Sequence, residues 1–118
     1  MVAASCEPPS IVIEPTSTAG SATFVIHGGP TTRPMMVRAF RVDGCGARGS
    51  PAPESMWLAM APDTAEAISR FTYGMPPAGW RSVQGPHPLV PGCYRAAVAN
   101  APPLEFDVSP DGNVKARR

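Results

Sequence analysis

The chain has little charge of either sign, one lysine and no long apolar run. Its 118 residues carry 10 basic and 9 acidic side chains, a net charge of +1, and Lys115 is the only lysine. A near-neutral chain with dispersed arginines lacks the basic surface that neutralises nucleic-acid phosphates, and has no general attraction to an anionic membrane. No run of 18 apolar residues exists, so the sequence predicts no transmembrane helix. We expect no nucleic-acid partner.

The sequence also lacks the short motifs that carry catalytic or ligand chemistry. No serine lies in a Gly-x-Ser-x-Gly elbow, and no glycine-rich segment leads into the Lys-Ser/Thr of a phosphate-binding loop. The three cysteines and two histidines do not have the spacing of a zinc site. We therefore expect no catalytic residue, metal or cofactor. The alternative is a small enzyme whose site is assembled from distant residues, with the candidates His27, Asp43, Cys45 and His87.

Proline and glycine, in contrast, are abundant, with 16 and 11 residues. Because proline interrupts helices and central strands, it divides the chain into short apolar runs separated by turns every 8–12 residues, the spacing typical of a sandwich or barrel. The stretch from Leu104 to Val108 alternates apolar with acidic side chains, as in a half-buried strand. Ser109-Pro110-Asp111-Gly112 has turn chemistry and predicts a hairpin between the last two strands. We expect one all-β domain over residues 10–116, a small antiparallel sandwich of about seven to nine short strands.

The three cysteines bear on anchoring and on the redox compartment. Ala3-Ala4-Ser5-Cys6 resembles a bacterial lipobox, in which small residues precede a lipidated cysteine, although Ala3 stands where a larger aliphatic residue is usual. On this interpretation residues 1–9 are a tether, and a lipid on Cys6 is the only attachment to a membrane. Cys45 and Cys93 then remain as an even pair that can form a disulfide. The alternative is three ordinary thiols in a cytosolic protein.

Two aromatic residues mark the one candidate binding surface. Trp80 follows Pro-Pro-Ala-Gly, and an exposed tryptophan is a common contact residue. Together with Tyr73 and the nearby prolines it would form an aromatic and proline-rich patch. The alternative is that Trp80 covers one end of the sandwich. Trp57, within an apolar run, is interpreted as a core residue.

Two local patterns resemble known families. Leu89-Val90-Pro91-Gly92-Cys93-Tyr94 resembles the opening of a late strand in immunoglobulin-like and fibronectin-like domains, where the tyrosine hydroxyl bonds back to the backbone; Tyr94 lies one residue earlier than in the common spacing. More broadly, the half of the chain from Trp57 onward resembles a family of small uncharacterised bacterial lipoproteins. The patterns that carry this resemblance are residues 71–80, 89–94, Phe106-Asp107-Val108 and Asp111-Gly112.

The resemblance implies an immunoglobulin-like sandwich in the bacterial cell envelope and assigns no catalytic residue. We expect a non-catalytic domain with a binding or structural role, lipid-anchored, periplasmic or secreted, whose partner is an envelope protein or none. A further alternative is an accessory or inhibitor domain of a larger assembly, which a long, free, apolar edge strand would favour.

Overall fold

The computed structural model describes residues 10–15, 17–27, 36–45, 55–65, 67–99 and 101–117. Cys6 and the predicted tether over residues 1–9 lie outside the described residues. Within this part of the chain there are nine short strands and no helix, hence no helix long and apolar enough to span a bilayer. The strands are β1 (Ser10–Ile13), β2 (Thr23–His27), β3 (Ala39–Gly44), β4 (Ser55–Met60), β5 (Arg70–Thr72), β6 (Arg81–Gln84), β7 (Gly92–Ala97), β8 (Leu104–Val108) and β9 (Val114–Ala116). The predicted all-β fold of about seven to nine short strands is confirmed.

The strands form two antiparallel sheets. One has three strands in the order β1-β2-β5, and the other has six in the order β6-β4-β3-β7-β8-β9. The predicted final hairpin is present, because β8 pairs with β9 and the turn between them is closed by the bond from Ser109 N–H to Asn113 O.

An aromatic core joins the two sheets. Phe24 and Phe71 belong to the three-stranded sheet, and Phe40, Trp57 and Phe106 to the six-stranded sheet; all five are fully buried. The ring of Phe40 stacks on that of Phe71 with centroids 4.5 Å apart, and the rings of Phe24 and Phe106 are 5.3 Å apart. Such pairs add about 0.5–1.5 kcal/mol each beyond the burial of apolar area. These contacts between the two sheets hold them together in a sandwich-like arrangement.

Charged side chains occupy the opposite, outer face of the six-stranded sheet. On β7, Tyr94 and Ala96 are buried while Arg95 is exposed, as the alternation of a strand requires. Arg95 is the cross-strand partner of Glu105, and their side chains are 2.9 Å apart. The inner face of this sheet is thus apolar, and its outer face is charged along β7 and β8.

The sheet edges are short. The edge strands β1, β5, β6 and β9 have three or four residues each, which is the usual defence of natural sheets against unwanted strand pairing. The long apolar edge that would favour an accessory or inhibitor domain does not occur among the described strands.

Candidate functional site

Tyr73 and Trp80, the two residues of the predicted binding surface, are both buried. Their exposed fractions are 7% and 6%, so neither ring is presented to a partner. Trp80 packs edge-on against Phe71, with ring centroids 5.3 Å apart. It covers one end of the sandwich, which was the alternative interpretation of this residue. The interpretation of these rings as exposed contact residues is wrong, because Trp80 packs on the core residue Phe71 and Tyr73 packs on Trp57.

The Tyr73 hydroxyl ties two separate segments of backbone together. It lies 2.6 Å from His87 O and 3.1 Å from Met56 O. The same Met56 carbonyl accepts the His87 N–H at 2.9 Å. Met56 is on β4, whereas His87 is in the irregular segment that follows β6. Tyr73 therefore fixes this segment against the six-stranded sheet.

Burial raises the pKa of Tyr73 to about 12, because the phenolate would be desolvated in the fold. An unfolded chain releases this proton near pH 10. Between pH 10 and 12 the unfolded state is then deprotonated while the folded state keeps the proton, so stability falls as the pH rises. The contribution is fully present below pH 10 and is lost as the pH approaches 12.

We expect Tyr73→Phe to flatten this alkaline loss of stability. At pH 7 the variant should be less stable by about 1–2 kcal/mol, because His87 O loses its hydrogen bond in a buried setting. Between pH 10 and 12 the wild-type free energy of unfolding should fall more steeply than that of the variant, by up to about 1.4 kcal/mol per pH unit. Urea unfolding at closely spaced pH values measures both slopes. Parallel slopes would contradict the burial of this hydroxyl.

The exposed surface formed by the segments that follow β5 and β6 is apolar and proline-rich. Met75, in the turn after β5, is 67% exposed. We call Met75 with its neighbours Pro76, Pro77, Pro86 and Pro88 the Met75 surface. Two open grooves of about 350 and 440 Å³ share Met75: the first continues along Gly74, Pro86 and Pro88, and the second along Arg70, Pro76 and Pro77.

The Met75 surface carries almost no unpaired charge. Arg70, in the second groove, is hydrogen-bonded and ion-paired with Glu14 of the first loop, and His87 is the one titratable side chain besides Tyr73 that lines the first groove. A ligand of this surface must therefore be recognised by apolar contact. The sequence-based prediction selected the rings of Tyr73 and Trp80, whereas the exposed apolar side chain of this segment is Met75. The sequence feature that could have indicated an exposed Met75 is its position between Gly74 and Pro76, because these two residues favour a turn.

Cys45 and Cys93 form a disulfide, with Cα atoms 5.4 Å apart. The bridge joins the residue after β3 to the start of β7, and Cys45 N–H also donates to Cys93 O at 3.0 Å. The predicted pair is confirmed. The predicted lipidation site, Cys6, lies outside the described residues.

The four residues proposed for a dispersed active site are not linked to one another. Asp43 is paired with Arg41, at 2.9 Å, on the outer face, and Cys45 is committed to the disulfide. His27 ends β2 in the other sheet, while His87 lies beside Tyr73. Over the described residues, no hydrogen bond or ion pair joins any two of these four side chains, and no group of three or more His, Cys, Asp or Glu is arranged to hold a metal ion.

Tyr94 makes the backbone bond that the resemblance to immunoglobulin-like strands implied. Its hydroxyl donates to Val90 O at 2.5 Å, despite the shortened spacing. The ring also stacks against Phe106, with centroids 5.7 Å apart. Tyr94 therefore attaches the segment that leads into β7 to the core.

Comparisons with protein-family models, with curated proteins and with solved structures found no match to this chain.

Proposed function

We propose that the chain is a non-catalytic binding domain of the bacterial cell envelope, anchored through Cys6 and meeting an apolar segment of an envelope protein with the Met75 surface. The Cys45–Cys93 disulfide is the observation that carries the location, because structural disulfides persist in oxidising compartments and are rare in the cytosol. The lipobox-like Ala3-Ala4-Ser5-Cys6 supports attachment to the membrane.

An immunoglobulin-like arrangement is part of this proposal. It is supported by the strand order β1-β2-β5 in one sheet and by the consecutive strands β3-β7-β8 in the other. The Tyr94 bond to Val90 O supports it too, since immunoglobulin-like domains have a tyrosine corner at the start of a late strand. In such domains binding residues lie on loops held by a rigid sandwich.

The binding role rests on the Met75 surface. A large, exposed apolar side chain set among prolines is costly to leave in water, and exposed apolar patches mark interaction sites. Methionine adapts its shape to a partner, while the prolines lose little conformational freedom on binding. The low charge of both grooves favours an apolar segment over an anionic or cationic ligand.

The location is tested by the intact mass of the protein from the envelope fraction of its native host, before and after reduction and alkylation. We expect a lipid-sized increment on Cys6 and two thiols that become available only after reduction. An unlipidated chain with three free thiols would overturn the location and the anchor.

The binding role is tested by placing a photo-cross-linking amino acid at position 75 and, as the matched control, at position 36. Met36 is also exposed, at 56%, and lines neither groove. We expect irradiation of cells to yield a discrete adduct with an envelope protein at position 75 and none at position 36. No adduct at position 75, or equal adducts at both positions, would overturn the role of the Met75 surface.

A further inference from the structure

The disulfide lies on the outer, charged face of the six-stranded sheet. Cys93 is next to the buried Tyr94 on β7, so its side chain is on the opposite face, and both Cys45 and Cys93 are only half-buried. The cross-strand partner of Cys93 on β8 is Asp107, another outer-face residue. A bridge at the surface is open to attack by thiolates, unlike one enclosed in a core.

A guanidinium group contacts one of the two sulfur atoms. Arg117 Nη1 lies 3.3 Å from Cys93 Sγ. The backbone of Arg117 is itself fixed, because its N–H donates to Glu105 O at 2.7 Å beyond the end of β9. An arginine stays protonated under all ordinary conditions. A permanent positive charge is therefore held beside Cys93.

The charges that face Cys93 from the neighbouring strands leave this positive charge in excess. Asp107 on β8 is 3.8 Å from Arg117 Nε, and Lys115 on β9 is opposite Asp107. These two cations outweigh one carboxylate. The other charged side chains on β3, β7 and β8 form two ion pairs, Arg95 with Glu105 and Arg41 with Asp43. A thiolate on Cys93 would therefore be stabilised.

We propose that the Cys45–Cys93 bridge is a thiol-exchange site, at which the thiolate of an external thiol bonds to Cys45 Sγ and Cys93 leaves as a thiolate held by Arg117. The new bond is a mixed disulfide between the external sulfur and Cys45, and the electron pair of the broken bond goes to Cys93 Sγ. A second external thiolate can attack the mixed disulfide and complete the two-electron reduction. The exchange is faster when the leaving thiolate is stabilised, which selects Cys45 as the point of attack.

The site of attack is tested on the oxidised, folded protein in a Cys6→Ser background, which removes the third thiol. Reduced glutathione is the probe, the reaction is quenched with acid at early times, and peptide mapping locates the glutathione. We expect the mixed disulfide predominantly on Cys45, with free Cys93. Predominant or equal modification of Cys93 would overturn the proposal.

The role of Arg117 is tested by alkylation of single-cysteine variants with iodoacetamide at pH 7. In the same background, Cys93 alone (with Cys45→Ser) should react faster than Cys45 alone (with Cys93→Ser). Arg117→Ala should slow Cys93 by about two- to fivefold, the range expected of a partly exposed charge contact, and Arg117→Lys should recover part of the rate. Arg70→Ala, which removes the same charge from the other sheet, is the control and should leave the rate unchanged.

An unchanged Cys93 rate in Arg117→Ala, or an equal loss in Arg70→Ala, would overturn the role of Arg117. If the single-cysteine variants lose their fold, the position of glutathione on the oxidised wild-type and Arg117→Ala proteins decides instead. We then expect the preference for Cys45 to weaken in Arg117→Ala, and an unweakened preference would contradict the proposal. This site is independent of the proposed partner at the Met75 surface, and either can fail alone.

Discussion

Replacing Cys45 and Cys93 together with alanine is expected to lower the free energy of unfolding by about 4 kcal/mol. The two residues are 48 positions apart in sequence, so the bridge closes a long loop and removes much of the conformational freedom of the unfolded chain. In the chain-entropy model this restriction, more than any contact in the fold, supplies the stabilisation. The double substitution is preferred because a single one would leave a thiol free to pair with Cys6.

The loss is measured by equilibrium unfolding in urea, with Cys6→Ala as the matched control that removes a cysteine but no bridge. The control should stay within about 0.5 kcal/mol of wild type, whereas the double variant should also melt about 15 °C lower. A difference below about 1 kcal/mol would contradict a bridge that is formed in the folded protein and closes this loop.

A loss of this size bears directly on the compartment. Domains of this length are stable by only about 5–15 kcal/mol, so a loss of about 4 kcal/mol removes between about a quarter and four fifths of that stability. At the lower end of that range a reducing compartment would leave a measurable unfolded population, whereas an oxidising compartment preserves the bridge. The proposed location and the expected loss of stability thus rest on the same bond.

The parts of the fold that were predictable are those specified by local pattern. The alternation from Leu104 to Val108 requires one buried and one exposed face, and the strand β8 has them. The turn residues from Ser109 to Gly112 can adopt few other conformations, so the last hairpin follows. Proline placement likewise cut the chain into strands of three to six residues. None of these features depends on distant partners.

The candidate site was only half predictable, because exposure is decided by tertiary contacts. Tyr73 and Trp80 are in a segment with turn composition, which favours the surface. Their rings nevertheless enter the core, where Trp80 meets Phe71 and the Tyr73 hydroxyl reaches Met56 O. The exposed apolar side chain of this segment is Met75, which the sequence analysis did not single out.

The contact between Arg117 and Cys93 lay beyond sequence reasoning for a different reason. The two residues are 24 positions apart, and they meet because the register of β8 with β7 and of β9 with β8 stacks Cys93, Asp107 and Lys115 across three strands. No local pattern specifies such a register. In sequence, Arg117 shows only as part of a basic terminus.

Gly85→Ala is expected to be the most disruptive single substitution near the Met75 surface. A Cβ atom on Gly85 would lie 2.1 Å from Met56 O and 2.9 Å from His87 N, and φ at this residue is +68°. This carbonyl belongs to the backbone near the start of β4, and it is held by the hydrogen bond that it accepts from His87 N–H. Residues 85–89 would have to move off the sheet. Met56 O would then lose the His87 N–H, and the Tyr73 hydroxyl would lose His87 O.

The matched control is Gly79→Ala, because Gly79 also has a positive φ, +84°, but no atom within 4 Å of its added Cβ. Gly79→Ala should cost only the strain of the left-handed backbone, about 1–2 kcal/mol, whereas Gly85→Ala should cost at least about 3 kcal/mol, since it adds the steric conflict and leaves buried polar groups without partners. Urea unfolding of both variants at pH 7 gives the difference. A Gly85→Ala protein that does not fold while Gly79→Ala does is the extreme form of the same result.

Equal losses of stability for the two variants would mean that residues 85–89 do not pack on Met56. The first groove of the Met75 surface would then lack the wall that Tyr73 holds in place.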